Sequence, residues 1–127
     1  MKKVFIVEDN QEILKLYAST FAKSGFETEI AVNGEEALLK LNGMEKNPDV
    51  ILLDVMMPKK TGFEVFTEIK KDNKLNKIPV VILTNMESLP GGGGDLKKLW
   101  DMGALDVIIK SNIDPGDVVR RVNVLLL

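Results

Sequence analysis

The stretch DVILLDVMMP, residues 49–58, sets four continuously apolar residues, Val50–Leu53, directly before a carboxylate, Asp54. A short run without polar alternation suits a strand of a parallel sheet, buried on both faces. An ionised acid at the end of such a strand carries a desolvation cost unless something compensates it. Working outward, the pattern recurs. Val4–Val7 precedes Glu8 and Asp9, Val80–Leu83 precedes Thr84, and Val107–Ile109 precedes Lys110. A fifth run, Thr28–Val32, contains Glu29 and alternates, as an edge strand does.

Helical periodicity fills the intervals. Asn10–Ala22 aligns Ile13, Leu14, Tyr17 and Phe21 in one stripe, with Gly25 as a stop. Asn33 is a cap for a helix bearing Ala37, Leu38 and Leu41, with Glu36 in the capping-box position. Gly62–Lys71 carries Phe63, Phe66 and Ile69, and Asp95–Met102 carries Leu96, Leu99 and Trp100. Asp114 and Pro115 read as the cap and first residue of a last helix with Val118, Val119, Val122, Leu125 and Leu126. Strand alternating with helix predicts an α/β fold, a parallel sheet with helices on both faces, in one domain over residues 1–127. The glycine run Gly91–Gly94 lacks the Lys and Ser or Thr of a phosphate-cradling loop and reads as a flexible loop.

Composition narrows the chemistry. At 45% hydrophobic and 28% charged, the chain is ordinary globular material. A net charge of -2 gives no general attraction to nucleic acid or to an anionic membrane. There is no cysteine and no histidine. That excludes disulfides, thiolate nucleophiles and the commonest metal ligand, so any metal must be a hard cation held by oxygens. The apolar run of MKKVFIVEDN is too short for a signal peptide, and nothing nears the ~20 apolar residues of a membrane span. The expectation is a cytoplasmic protein.

In an open parallel sheet, ligands bind at the carboxyl ends of the strands. The residues there are Glu8, Asp9, Asp54, Thr84 and Lys110. Three carboxylates against one ammonium leave a deficit that a divalent cation closes. Mg²⁺ favours one or two carboxylates, several waters and a phosphate oxygen. Asp54 itself is a possible nucleophile toward a phosphoryl group, with metal and lysine neutralising the charge that develops. Plainer roles exist for each residue: Asp9 or Asn10 as a helix cap, Asp54–Lys110 as a structural ion pair, Thr84 as a turn residue.

Taken in order, VFIVEDN (4–10), ILLDVMMPKKTG (51–62), VVILT (80–84) and GALDVIIK (103–110) resemble the receiver domain of two-component response regulators, over the whole chain. The resemblance implies a doubly wound, five-stranded parallel sheet of strand order 2-1-3-4-5, in a flavodoxin-like three-layer sandwich. It implies phosphorylation of Asp54. Mg²⁺ would be held by Asp9, Asp54 and the backbone carbonyl of Met56, with Glu8 acting largely through water. Thr84 would donate its hydroxyl to the phosphoryl group and Lys110 would pair with a phosphoryl oxygen. The donor would be a partner histidine kinase, a phosphotransfer protein or a small acyl phosphate. The domain would be a signalling switch rather than an enzyme on other molecules. It would change a surface near the fourth and fifth strands and helices for a downstream effector, as a monomer or a phosphorylation-dependent dimer, without direct nucleic-acid or membrane binding.

Several positions depart from that family. Ser111 replaces the usual proline after the lysine, where a preceding cis bond would cost roughly 3 kcal/mol. Val107 replaces an aromatic switch residue and reads as packing. Asn85 replaces a small residue beside the site, where its amide could hydrogen-bond a phosphoryl group or narrow access. The Thr84–Gly103 interval is about four residues longer than usual, a tolerated kind of insertion. Met56 and Met86, which cannot orient an attacking water, predict slow self-dephosphorylation; a half-life of seconds would contradict this. Alternatives are an interaction domain that keeps the fold without phosphorylation, a hydrolase of the haloacid dehalogenase kind, and a flavin carrier. Met56 stands where the hydrolases need a second acid, and the flavin carrier lacks its hydroxyl-rich loop.

Overall fold

The computed structural model describes residues 1–55, 57, 60–85 and 93–127. Its elements alternate: β1 (Lys3–Val7), α1 (Gln11–Lys23), β2 (Glu27–Ala31), α2 (Gly34–Gly43), β3 (Val50–Asp54), α3 (Gly62–Lys71), β4 (Val80–Thr84), α4 (Gly93–Asp101), β5 (Asp106–Ile109) and α5 (Pro115–Leu125). The sheet order is β2-β1-β3-β4-β5. Every neighbouring pair runs parallel, with Val7 opposite Leu53, Asp54 opposite Leu83 and Thr84 opposite Ile109.

The period of two along each strand sorts the core into two layers. Phe5, Val7, Ile51, Leu53, Val80 and Ile82 face α2, α3 and α4. Val4, Ile6, Val50, Leu52, Val81, Leu83 and Ile108 face α1 and α5. The three central strands are buried on both faces, which is why their sequences are continuously apolar. β2, at the edge, keeps Glu27 and Ile30 exposed.

Helix ends follow the local chemistry. Asn10 Oδ1 accepts from Ile13 N at 3.1 Å, Asn33 Oδ1 from Glu36 N at 2.8 Å, and Asp114 Oδ1 from Asp117 N at 3.0 Å. The full reciprocal capping box lies elsewhere, between Thr61 and Glu64 at the start of α3. Gly25 and Gly103 take positive φ, +92° and +98°, just beyond α1 and α4.

Three expectations need correction. Asp54 and Thr84 are the last residues of their strands rather than the first beyond them, because each is still paired in the ladder. Gly93 and Gly94 are not loop but the first turn of α4, where Asp95 favours the positive end of the helix dipole; residues 91 and 92 lie outside the described residues. Trp100 is 49% exposed and leaves the buried stripe of α4 to Leu99, with Leu96 and Met102 packed beside it.

Candidate functional site

The sheet order reverses between β1 and β3, so the crevice opens where Glu8, Asp9 and Asp54 emerge. Alternation decides which side chains enter it. Glu8 continues the Val4–Ile6 series, Asp54 the Val50–Leu52 series, and Lys110 follows Ile108 by two. All three therefore point to the α1/α5 side of the sheet. A depression of about 240 Å³ collects Glu8, Asp9, Asn10, Ile13, Asp54, Asn85 and Lys110.

Carboxylate oxygens of Glu8, Asp9 and Asp54 all lie within 4.8 Å of one another. Glu8 and Asp54 are buried, 2% and 5% exposed, while Asp9 is open to solvent. Lys110 supplies the opposing charge. Its Nζ is 2.8 Å from Glu8 Oε1 and 3.5 Å from Asp54 Oδ2. The Lys110–Ser111 bond is trans, followed by a 3-10 turn over Lys110–Asn112, and the ammonium still reaches both acids.

The electrostatics follow from this packing. Burial pushes Glu8 upward, but hydrogen bonds from the Asp54 carboxyl and the Lys110 ammonium, with the lysine's charge, hold it below the usual range. Asp9 sits above its usual range, through desolvation and the adjacent Glu8. Lys110 is raised, its burial outweighed by Glu8 and Asp54. An all-oxygen trio at this spacing, with one open member, fits a hard divalent cation.

Thr84 is placed differently from the acids. It follows Val80 and Ile82, the series facing α2–α4, and is fully buried. Its hydroxyl donates to the Asn85 carbonyl at 3.2 Å, and it does not line the depression. Asn85 does, because it follows Val81 and Leu83 on the other face. The period of two could have revealed this from sequence. Met56 and Met86, and with them the expected Met56 carbonyl ligand, lie outside the described residues. Val107 packs, half-buried, against the α2–α4 core.

Behind Asp54, Gly62 closes the loop. Gly62 N donates to Val55 O at 2.7 Å, and a Cβ on Gly62 would stand 2.2 Å from the Asp54 carbonyl oxygen. Only a residue without a side chain lets the chain return this close to the strand end.

A family model described as the response regulator receiver domain matches residues 4–123. The CpxR homolog of Haemophilus influenzae, a transcriptional regulatory protein, is 35% identical over 99% of this chain, which spans 51% of that relative's length. The polar-differentiation response regulator DivK of Brucella anthropi is 42% identical over 65% of this chain and 66% of its own. Chemotaxis protein CheY4 of Vibrio cholerae superposes with a TM-score of 0.83 at 28% identity, over 98% of both chains. The phosphorylated cyanobacterial phytochrome response regulator RcpA superposes with a TM-score of 0.80 at 34% identity, over 98% of this chain and 90% of its own.

Proposed function

The chain belongs to the response regulator receiver family of two-component signalling, and from that premise we propose that it is a phosphorylation switch whose acceptor is Asp54. A receiver is a signalling module rather than an enzyme on other molecules, and it implies a histidine kinase partner. The observation that carries the proposal is the grouping of Glu8, Asp9, Asp54 and Lys110 in one depression at the switch point of the sheet.

An oxygen of the Asp54 carboxylate forms the bond to phosphorus. The P–N bond of a phosphohistidine, or the P–O bond of an acyl phosphate, breaks, and its electron pair leaves with the donor. The chain has no histidine, so the donor comes from outside. Asp9, Asp54 and the Met56 carbonyl would hold Mg²⁺, with Glu8 through water. Bound there, Mg²⁺ supplies charge neutralisation for the phosphoryl oxygens. Lys110 pairs with one of those oxygens, and Asn85 offers its amide to another from the lip of the depression. Thr84 must exchange its bond to the Asn85 carbonyl for one to the phosphoryl group. That local change, near β4, would be what an effector reads around β4, α4, β5 and α5.

Incubation with Mg²⁺ and acetyl phosphate, followed by intact mass, tests this directly. The wild-type chain gains one phosphoryl group, while Asp54→Asn does not. A gain that survives Asp54→Asn overturns the assignment. No gain at all favours the alternative, an interaction domain independent of phosphorylation, for which the inward-turned Thr84 hydroxyl is the supporting observation.

A further inference from the structure

Gly34 is the buried first residue of α2, held in place by the Asn33 cap. A Cβ there would stand 2.6 Å from Val65 Cγ2, 2.7 Å from the Lys60 carbonyl oxygen and 2.9 Å from Lys60 Cβ. Conformation is not the reason for the glycine, since Gly25 and Gly103 are the ones among the described residues that take positive φ. Its use is close approach. Lys60 is anchored on its other side. Its ammonium pairs with Glu68 of α3 at 2.7 Å, and the next residue, Thr61, is locked in the capping box with Glu64. Gly62 follows, and its own Cβ position lies 2.2 Å from the Asp54 carbonyl oxygen. Three consecutive residues, Lys60–Gly62, therefore fill the space between the start of α2 and the main chain of the acceptor.

We propose that Gly34 is a positioning residue for phosphoryl transfer: the close seat of α2 on the Lys60 main chain fixes where Asp54 stands. The inference rests on the magnesium-dependent phosphoacceptor reading given above. A side chain at residue 34 pushes on two different things. Val65 Cγ2 is the end of a side chain on α3, and a smaller residue there makes room. The Lys60 oxygen is main chain, and it moves only by shifting Thr61 and Gly62 against Asp54.

That difference supplies the test. Wild type, Gly34→Ala, Val65→Ala and the double variant of the full chain are labelled with acetyl phosphate across a magnesium titration and read by intact mass. Gly34→Ala should raise the magnesium midpoint of labelling about tenfold, because small misplacements of reacting groups are costly. The double variant should keep that shift, since shortening Val65 leaves the Lys60 oxygen where it was. A midpoint for Gly34→Ala within about twofold of wild type, or a shift that Val65→Ala removes, assigns the glycine to helix packing alone. Either result overturns the inference and leaves the phosphoacceptor reading intact, whereas absence of magnesium-dependent labelling in the wild type overturns both. A second measurement needs no variant and stands if Gly34→Ala fails to fold. In the ¹⁵N-glycine-labelled wild type, the Gly34 resonance should move with that of Gly62 as Mg²⁺ saturates the site, while Gly43, at the other end of α2, stays fixed. A Gly34 resonance unchanged at saturation overturns the positioning.

Discussion

At residue 110 a cation sits almost out of water, its side chain 14% exposed against a Glu8 side chain 3% exposed. Removing one partner of such a pair leaves the other charge stranded, which costs ~3–5 kcal/mol. Lys110→Met should therefore lower the metal-free stability by about 3 kcal/mol in urea unfolding near neutral pH. The pH dependence has a definite sign. Lys110 is raised in the folded chain, so its contribution is complete below the ordinary lysine value of 10.5 and is lost as pH rises through the folded value. Glu8 is depressed, so its contribution is present above the ordinary 4.5 and is lost as pH falls through its lower folded value. Asp9, being raised, acts the opposite way: its charge opposes folding at neutral pH, and protonation relieves it. Lys110→Met should flatten the alkaline limb of the stability profile relative to wild type. An unchanged slope above pH 10.5 would show that this ammonium is not paired in the folded chain.

Among the elements, the start of α3 has a position that excludes any side chain, Gly62. A Cβ at Gly62 meets the Asp54 carbonyl oxygen at 2.2 Å and Val55 Cα at 2.5 Å, both main chain, so nothing can move without displacing Asp54. Gly62→Ala should cost at least about 2 kcal/mol and slow phosphorylation, because strain of this kind must be relieved through the loop that carries the site. Gly43, the last residue of α2, is the control. A Cβ there meets nothing within 4 Å, so Gly43→Ala should be neutral or gain up to ~1 kcal/mol by helix propensity. Thermal unfolding of the two variants side by side checks the contrast. The trans backbone after β5 belongs to this scale too. Serine in place of proline does not prevent the lysine from reaching the acids, because side-chain contact with Glu8 supplies the aim.

Across the whole molecule, stability is graded from the middle of the sheet outward. β3 and β4 are buried along their full length between two apolar layers, whereas β2 exposes Glu27 and Ile30 at an edge. Hydrogen exchange should find the slowest amides at Leu52, Leu53, Val81 and Ile82, near the global unfolding free energy, with β2 exchanging faster. Uniform protection across the sheet would contradict this gradient. Asp54 and Thr84 are the last residues of these two fully buried strands. Of the two helices that would carry the signal, α4 buries Leu99 alone, whereas α5 buries Val118, Val119 and Val122, as many as α1 or α2.

The order of strands and helices, the edge character of β2 and the identity of the acids were all legible in the sequence. Each rests on local facts: apolar runs of a given length, side-chain period, and caps such as Asn10, Asn33 and Asp114 that bond within three residues. The Thr61–Glu64 box carries the same local signal, whereas Trp100 follows Leu99 by one residue, about 100° around the helix, and falls off the buried face. What the sequence does not contain is how far apart the strand ends on one face lie in space. A carboxyl edge gathers every strand end, but pleating splits that edge in two. Asp54, Glu8, Lys110 and Asn85 fall on one side and Thr84 on the other. Only tertiary structure decided that Lys110 reaches both Glu8, at 2.8 Å, and Asp54, at 3.5 Å, because those contacts join chain positions far apart in sequence, set by sheet register and not by any neighbour in sequence.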